Sequence, residues 1–290
     1  MSRLPIKPAA RRIARLGHSI GHSIGHSIGY SIGHAIGNQA ASAARPQRLR
    51  VYLGHGALAV CRSAGRFHSS VQDKAILSGG TGVSDLPNQL AALESWLEAH
   101  PARADIDWII GIEHVRYLLL PWDPRLASDA FCRSLAGALF AQQGAGGTPF
   151  AGYQLRYSPL AFGQPCLAAL LTNDIIRELT AFARRRGCRT TRIEPALSVV
   201  WNRFRARWKH DTGVLALVEG PRLLRIGFAH GHITSFSLQP CSDTRPPATP
   251  EETTWVFPAR HPAAPGGDVL VLDGFAPDDD PRLAYALCGV

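Results

Sequence analysis

The chain has 290 residues, of which 46% are hydrophobic and 18% charged, as is typical of a soluble globular protein with one or two domains. The formal net charge is +9, but eight of the 31 basic residues and none of the 22 acidic residues lie within residues 1–50. The rest of the chain holds 23 basic and 22 acidic residues, which argues against a fold that is basic throughout and binds nucleic acid over its whole surface.

Residues 1–48 are predicted to form a disordered, basic, low-complexity arm. The unit Gly-His-Ser-Ile repeats with variations over residues 17–37, and glycine costs about 1 kcal/mol relative to alanine at each helical position. Residues 17–21 match the Gly-x-Ser-x-Gly turn of hydrolases, but the strand that must precede that turn is missing. Three alternatives for the arm are metal binding by His18, His22, His26 and His34, a weak membrane-surface contact, and a twin-arginine export signal.

The first half of the remaining chain begins with a strand hairpin. Apolar residues alternate on both sides of the turn Gly54-His55-Gly56, which is typical of two short antiparallel strands. The periodicity then predicts an edge strand near residues 75–77, a helix over 88–99, strands over 108–112 and 115–120, and a helix over 126–142.

The second half alternates strands and helices more regularly. Asn173 is predicted to cap a helix that runs to residue 186 and stops at Gly187. The other predicted elements are strands over 153–157, 165–171 and 189–193, a helix carrying Leu197 to Trp208, a three-stranded meander over 213–238, a strand over 268–272 and a closing helix over 281–287.

This pattern predicts an α/β protein with mixed sheets flanked by helices, in two similar halves. The predicted subdomains are residues 49–164 and 165–290. No apolar run reaches the length of about 18 residues that suggests a bilayer-spanning helix. The six cysteines lack the spacing of a metal site or a redox pair, so reduced and mostly buried thiols are predicted.

Residues 173–209 contain ten Lys and Arg against three acidic residues. This excess predicts a basic outer surface that is either simply solvated or docks an acidic protein segment, lipid headgroups or nucleic acid. The candidate contact residues are Arg184, Arg185, Arg186, Arg203, Arg205 and Arg207.

Several segments together resemble a known family. They are Cys166-Leu-Ala-Ala-Leu-Leu-Thr-Asn-Asp-Ile-Ile-Arg, Ala183-Arg-Arg-Arg-Gly-Cys, Ile193-Glu-Pro-Ala-Leu and the meander that follows. Residues 115–121 and 282–289 are similar to the same family. The chain resembles the cytoplasmic actin-like proteins of bacterial type IV pilus and type II secretion machines, the PilM and GspL group, over residues 49–290. The resemblance implies an actin-like, ribonuclease H-like fold.

The resemblance also identifies a relic nucleotide pocket. In active actin-like ATPases an Asp at each of two hairpin turns serves the metal and phosphate, and the turns here are Gly54-His55-Gly56 and Glu219-Gly220-Pro221. Proline has removed one backbone donor from the second turn. Asp273-Gly274 resembles half of the usual adenosine-binding Gly-Gly pair. Neither ATP nor Mg²⁺ is therefore expected as a cofactor.

The sequence thus favours a non-catalytic actin-like scaffold of a pilus or secretion platform. It would bind the cytoplasmic tail of an inner-membrane protein, lie peripheral to that membrane on the cytoplasmic side, and use its arm on anionic lipid. One alternative is a divergent ATPase in which Glu219 or Asp273 carries the metal. The other alternative, a nucleic-acid-binding protein using the arm, is disfavoured because the chain has no recognised reading module.

Overall fold

The computed structural model describes residues 47–288, apart from 66–69, 79–85, 102–103, 145–147, 210, 242–252, 259–267, 271, 273–274 and 277. The predictions for residues 1–46, including the repeat and its histidines, lie outside the described residues. So does the prediction for Asp273-Gly274.

The first sheet has five strands in the order β3-β2-β1-β4-β8. Neighbours β3, β2 and β1 are antiparallel, and β1, β4 and β8 are parallel. The strands are β1 Gln47–Gly54, β2 Ala57–Ala64, β3 Ser70–Ser78, β4 Asp105–Ile110 and β8 Arg189–Pro195. The predicted hairpin at residues 54–56 is therefore confirmed.

Helices cover both faces of this sheet. They are α1 Leu86–Ala99, α3 Asn173–Arg185, α4 Ala196–Arg203 and α6 Leu283–Leu287. The short helix α5 Arg205–Trp208 follows α4, and its Trp208 packs against Phe228 and Trp255. On one face, Trp108 of β4 packs edge-on against Phe182 of α3. On the other face, Tyr52 of β1 stacks on Tyr285 of α6, and α6 packs against α4. Coverage of both faces explains why β4 is buried at almost every position.

The second sheet repeats the arrangement of the first, in the order β11-β10-β9-β12-β13. Its three-stranded antiparallel meander is followed by two parallel strands. The strands are β9 Thr212–Glu219, β10 Arg222–Ala229, β11 His232–Pro240, β12 Thr254–Phe257 and β13 Asp268–Val269. The predicted meander is confirmed, and the repeated topology gives two similar halves.

A small sheet in the order β5-β7-β6 joins the first half. Its strands, β5 Val115–Leu120, β6 Tyr153–Tyr157 and β7 Cys166–Thr172, pair antiparallel, and α2 Asp129–Gln142 packs on it. The predicted subdomain change between residues 164 and 165 falls within this sheet, because β6 and β7 pair across it. The later strand β8 returns to the first sheet.

One local prediction was wrong, and one strand was not predicted. The side chain of Thr172, not Asn173, caps α3 by accepting a hydrogen bond from the Ile175 amide at 3.4 Å. Asn173 instead donates its side-chain amide to the Ala151 carbonyl at 3.4 Å. The sequence also gave no sign of β12, which lies in a proline-rich stretch and is a strand because it pairs with β9.

Candidate functional site

The two hairpin turns that the sequence identified as a relic pocket touch each other. Gly220 closes the β9–β10 turn with a left-handed φ of 53°, and a Cβ there would lie 2.7 Å from the His55 ring. Gly56 closes the β1–β2 turn with a φ of 62°. The structure therefore brings Gly54, His55, Gly56, Glu219 and Gly220 together at the junction between the two large sheets.

Glu219 links the halves through a buried carboxyl group. Its Oε2 accepts a hydrogen bond of 2.6 Å from the Ile112 amide, which lies just beyond β4. This approach requires glycine at position 111, where a Cβ would lie 2.5 Å from the same oxygen. The Tyr52 side chain also hydrogen-bonds to this carboxyl group. Among the described residues, the second oxygen, Oε1, is buried and has no hydrogen-bond partner.

Burial dominates the protonation of this group. Removal from water, with a smaller contribution from the nearby Glu113 carboxylate, raises the pKa of Glu219 to about 8. The hydrogen bonds from Ile112 and Tyr52 act in the opposite direction but do not offset burial. Glu219 is only 5% exposed, so at neutral pH it is mainly a neutral acid that joins two parts of the fold.

The first turn is held from two further directions. The His55 Nδ1 lies 2.9 Å from Oε2 of Glu113, in the short 3₁₀ turn Ile112–His114. The side-chain amide of Gln89, on α1, donates to the Gly54 carbonyl at 3.2 Å. The two turns and the residues between them form what we call the cleft. Beside its second turn, the Tyr285 hydroxyl donates to the Val218 carbonyl at 2.9 Å. These contacts tie the His55 ring and the Gly54 and Val218 carbonyls to other parts of the fold.

The candidate arginines do not form one surface. Arg184 and Arg185 are exposed at the end of α3, on the face of the first sheet that α1 also covers. Arg186 forms ion pairs with Glu94 and Glu98 of α1, at 3.1 and 3.3 Å. The other three, Arg203, Arg205 and Arg207, are exposed on α4, which lies on the opposite face with α6, and on α5, which follows it.

An open groove lies beside α4, with a volume of about 160 Å³. Its walls are the β6–β7 loop, α4 with the start of α5, and the β10–β11 turn. Leu167, Leu197 and Ile233 make it partly apolar, and Arg205 stands at its edge. The Ser198 hydroxyl is buried in the wall and has no hydrogen-bond partner among the described residues.

The β6–β7 loop also carries the most exposed large apolar side chain in the described part of the chain. Phe162 is 91% exposed and Leu160 is 48% exposed. The Phe162 ring meets Trp122 in a T-shaped arrangement, with ring centres 5.1 Å apart. The strands predicted over residues 153–157 and 165–171 leave residues 158–164 as a connection, for which no role was predicted.

Sequence analysis also missed Tyr52, Glu113 and Tyr285, which hold the cleft closed. Alternation along β1 separates Tyr52 from Val51 and Leu53, but it does not say what each face meets. Glu113 follows the strand predicted over residues 108–112, and no role was predicted for it. The position of Tyr52 just before the predicted turn at residues 54–56 was the only local signal. The partners of these residues are set by the packing of the two halves.

Within the described residues, no three His, Cys, Asp or Glu side chains are grouped so as to hold a metal ion. The described helices include none that is long and apolar enough to cross a bilayer.

No protein-family model and no curated protein sequence matches the chain. Solved structures do match. The cytoplasmic domain of EpsL, an inner-membrane component of the type II secretion system of Vibrio cholerae, has a TM-score of 0.53 at 9% identity and covers 82% of this chain and 92% of its own. A structure described as a PilM–PilN type IV pilus biogenesis complex has a TM-score of 0.50 at 12% identity.

The match to the pilus complex covers 69% of this chain and 63% of the other, so this chain spans less than two thirds of that protein. At these identities the likeness concerns the fold. The two structures represent the same two kinds of protein that the sequence resembles, and the two large sheets repeat one topology. The predicted fold is confirmed: the chain has an actin-like fold.

Proposed function

We propose that this protein is a non-catalytic actin-like scaffold of a type IV pilus or type II secretion inner-membrane platform, where it binds the cytoplasmic tail of a membrane protein. The likeness to the EpsL and PilM structures supports the platform. Such a protein would lie peripheral to the inner membrane on its cytoplasmic side.

The contact between the two hairpin turns is the observation that carries the non-catalytic role. Binding of Mg-ATP requires oxygen ligands for the metal and backbone donors directed at phosphate. Here Gly220 lies against His55, and the Glu219 carboxyl group accepts the Ile112 amide inside the fold. A neutral, buried acid is a poor ligand for Mg²⁺, so the residues present do not fit the nucleotide.

The groove beside α4 supports tail binding. Its apolar walls suit one or two apolar side chains of an extended segment, and Ser198 offers a buried hydroxyl for a backbone hydrogen bond. A tail that followed the groove would contact the small sheet, α4 and the second half of the fold at once. Binding there would leave the closed cleft unchanged.

Thermal unfolding with millimolar Mg-ATP tests the non-catalytic role. A ligand that binds only the folded state stabilises it in proportion to RT ln(1 + [L]/Kd), so no shift in Tm is expected. A nucleotide-hydrolysing actin-like protein serves as the positive control. A rise in Tm that disappears in Glu219→Gln would instead establish the divergent ATPase.

Co-purification tests tail binding. The chain is isolated in detergent from cells that express the neighbouring pilus or secretion genes, and bound proteins are identified by mass spectrometry. Recovery of a membrane protein of these machines is expected with the wild type and with Gln239→Trp, an exposed position on β11. Asn202→Trp, an exposed position lining the groove, should lose it. Equal recovery with both variants would place the tail elsewhere.

A further inference from the structure

We propose that the tip of the β6–β7 hairpin, residues 159–163, and the basic side of α4 and α5 together form a contact site for an anionic lipid bilayer. The hairpin tip would enter the interfacial region, and the basic helices would face the headgroups. This inference goes beyond the proposed function, because it holds whether or not a partner's tail occupies the groove.

The hairpin tip presents apolar surface that the fold does not use. Its sequence, Pro159-Leu-Ala-Phe-Gly163, has no charged residue, and its phenylalanine is 91% exposed. Full exposure of a phenylalanine forgoes the stabilisation that its burial gives. The edge contact with Trp122 supplies a second aromatic ring beside the tip. Aromatic rings of this kind favour the boundary between headgroups and acyl chains.

The basic residues at the end of α4 and on α5 lie beside the groove that the tip also lines, with Arg205 among the lining residues. Leu160 and Ala161 line one wall of the groove, and Asn202 and Arg205 line the other. From residue 196 to residue 209 the chain has four positive charges and no acidic residue. All four, Arg203, Arg205, Arg207 and Lys209, are exposed.

This combination fits an anionic bilayer better than it fits a nucleic acid or a protein. Nucleic acid would use the cations but offers no apolar layer for Leu160 and Phe162. The hairpin tip projects into solvent, so a folded partner would need a pocket made for it. A bilayer supplies phosphates beside an apolar layer, and each cation near an anionic surface strengthens the attachment.

Flotation with lipid vesicles tests the site on the full-length chain. Vesicles of phosphatidylcholine with about 30% phosphatidylglycerol provide an anionic surface that attracts basic residues. Vesicles of pure phosphatidylcholine provide the neutral control. The wild type should bind the anionic vesicles. The double variant Leu160→Ser and Phe162→Ser should bind about tenfold more weakly, because two apolar side chains no longer enter the interface.

Matched variants separate this site from general attraction. Leu238→Ser removes a leucine of similar exposure, 46%, on β11, and it should bind as the wild type does. The double variant Arg205→Glu and Arg207→Glu should lose binding to the anionic vesicles. The double variant Arg184→Glu and Arg185→Glu makes the same charge change on the opposite face of the first sheet, and it should bind nearly as the wild type does. Vesicles with brominated acyl chains should quench the wild-type tryptophan fluorescence more strongly than that of Trp122→Phe.

Three results would overturn the proposal. One is unchanged binding of the Leu160→Ser and Phe162→Ser variant, which would leave only polycation attraction by the arm or helices. Another is an equal loss of vesicle binding in the Arg205→Glu, Arg207→Glu variant and the Arg184→Glu, Arg185→Glu variant. The third is quenching that does not depend on Trp122. Because the tail is tested in detergent without vesicles, failure of the membrane contact is distinguishable from failure of the proposed function.

Discussion

The closed cleft and the open groove are both places where the two halves of the fold meet, yet they are built in opposite ways. In the cleft, the Glu219 carboxyl group accepts hydrogen bonds from Ile112 and Tyr52, and a glycine on each side permits close contact. In the groove, Ser198 lacks a partner among the described residues, and the neighbouring Phe162 is almost fully exposed. The first region uses its polar groups for stability, and the second leaves polar and apolar groups available for a partner.

The largest effect should come from breaking the cleft at Tyr52. This ring is 2% exposed and stacks on Tyr285 with centres 4.6 Å apart. Tyr52→Ala should lower the free energy of unfolding by about 3–5 kcal/mol, as removal of a buried aromatic ring does. Tyr52→Phe keeps the ring, and it should cost about 1–3 kcal/mol because the Glu219 carboxyl group loses a donor.

Chemical denaturation of both variants measures these effects. A loss of less than about 1 kcal/mol in Tyr52→Ala would mean that the halves are not held together through this cleft.

An effect of comparable size over the full range from pH 4.5 to 8 should appear as a dependence of stability on pH. The pKa of Glu219 is raised from 4.5 to about 8 in the folded protein, so the folded state holds this proton more tightly than the unfolded state. The contribution is fully present below about pH 4.5 and is lost as pH rises towards about 8, at a rate of up to about 1.4 kcal/mol per pH unit.

Glu219→Gln isolates this contribution because its amide does not titrate. The difference in unfolding free energy between wild type and variant, measured from pH 5 to pH 9, should therefore change in favour of the variant as pH rises. A constant difference would show that the carboxyl group is already ionised in the folded protein. Subtracting the variant also removes the effect of His114, whose pKa is lowered mainly by burial.

The smallest effect should come from the exposed region. Phe162→Ser removes an edge contact with Trp122, so the free energy of unfolding should change by no more than about 0.5 kcal/mol. Trp108→Ser, at a completely buried ring that meets Phe182, is the contrasting control and should be severely destabilised. A large loss in Phe162→Ser would mean that the hairpin tip supports the fold and is not available for binding.

Much of the fold was predictable because its signals are local. Alternation and turn residues located the β1–β2 hairpin and the meander. By contrast, Thr254–Phe257 is a strand only because β9 lies beside it. The cap of α3 shows the same limit at short range. Thr172 and Asn173 are both capable caps, and the path of β7 into the helix selected Thr172.

The candidate site was predictable in its position but not in its contacts. The missing acids at residues 54–56 and the Glu-Gly-Pro turn at 219–221 were visible in the chain. That Glu219 accepts a hydrogen bond from Ile112 was not, because those residues come together only when the two sheets pack. The six candidate arginines were close in sequence, and the first sheet separates them onto opposite faces.

The sequence by itself determined which segments alternate, where they turn and which turns lack acidic residues, since each of these depends on neighbours along the chain. Only the tertiary structure decided that Gly220 meets His55, that a glutamic acid is buried between the halves, and that Leu160 and Phe162 remain in water. The reason is physical: burial and pairing depend on which distant surface covers a side chain, and the alternation of one strand records only that some surface does.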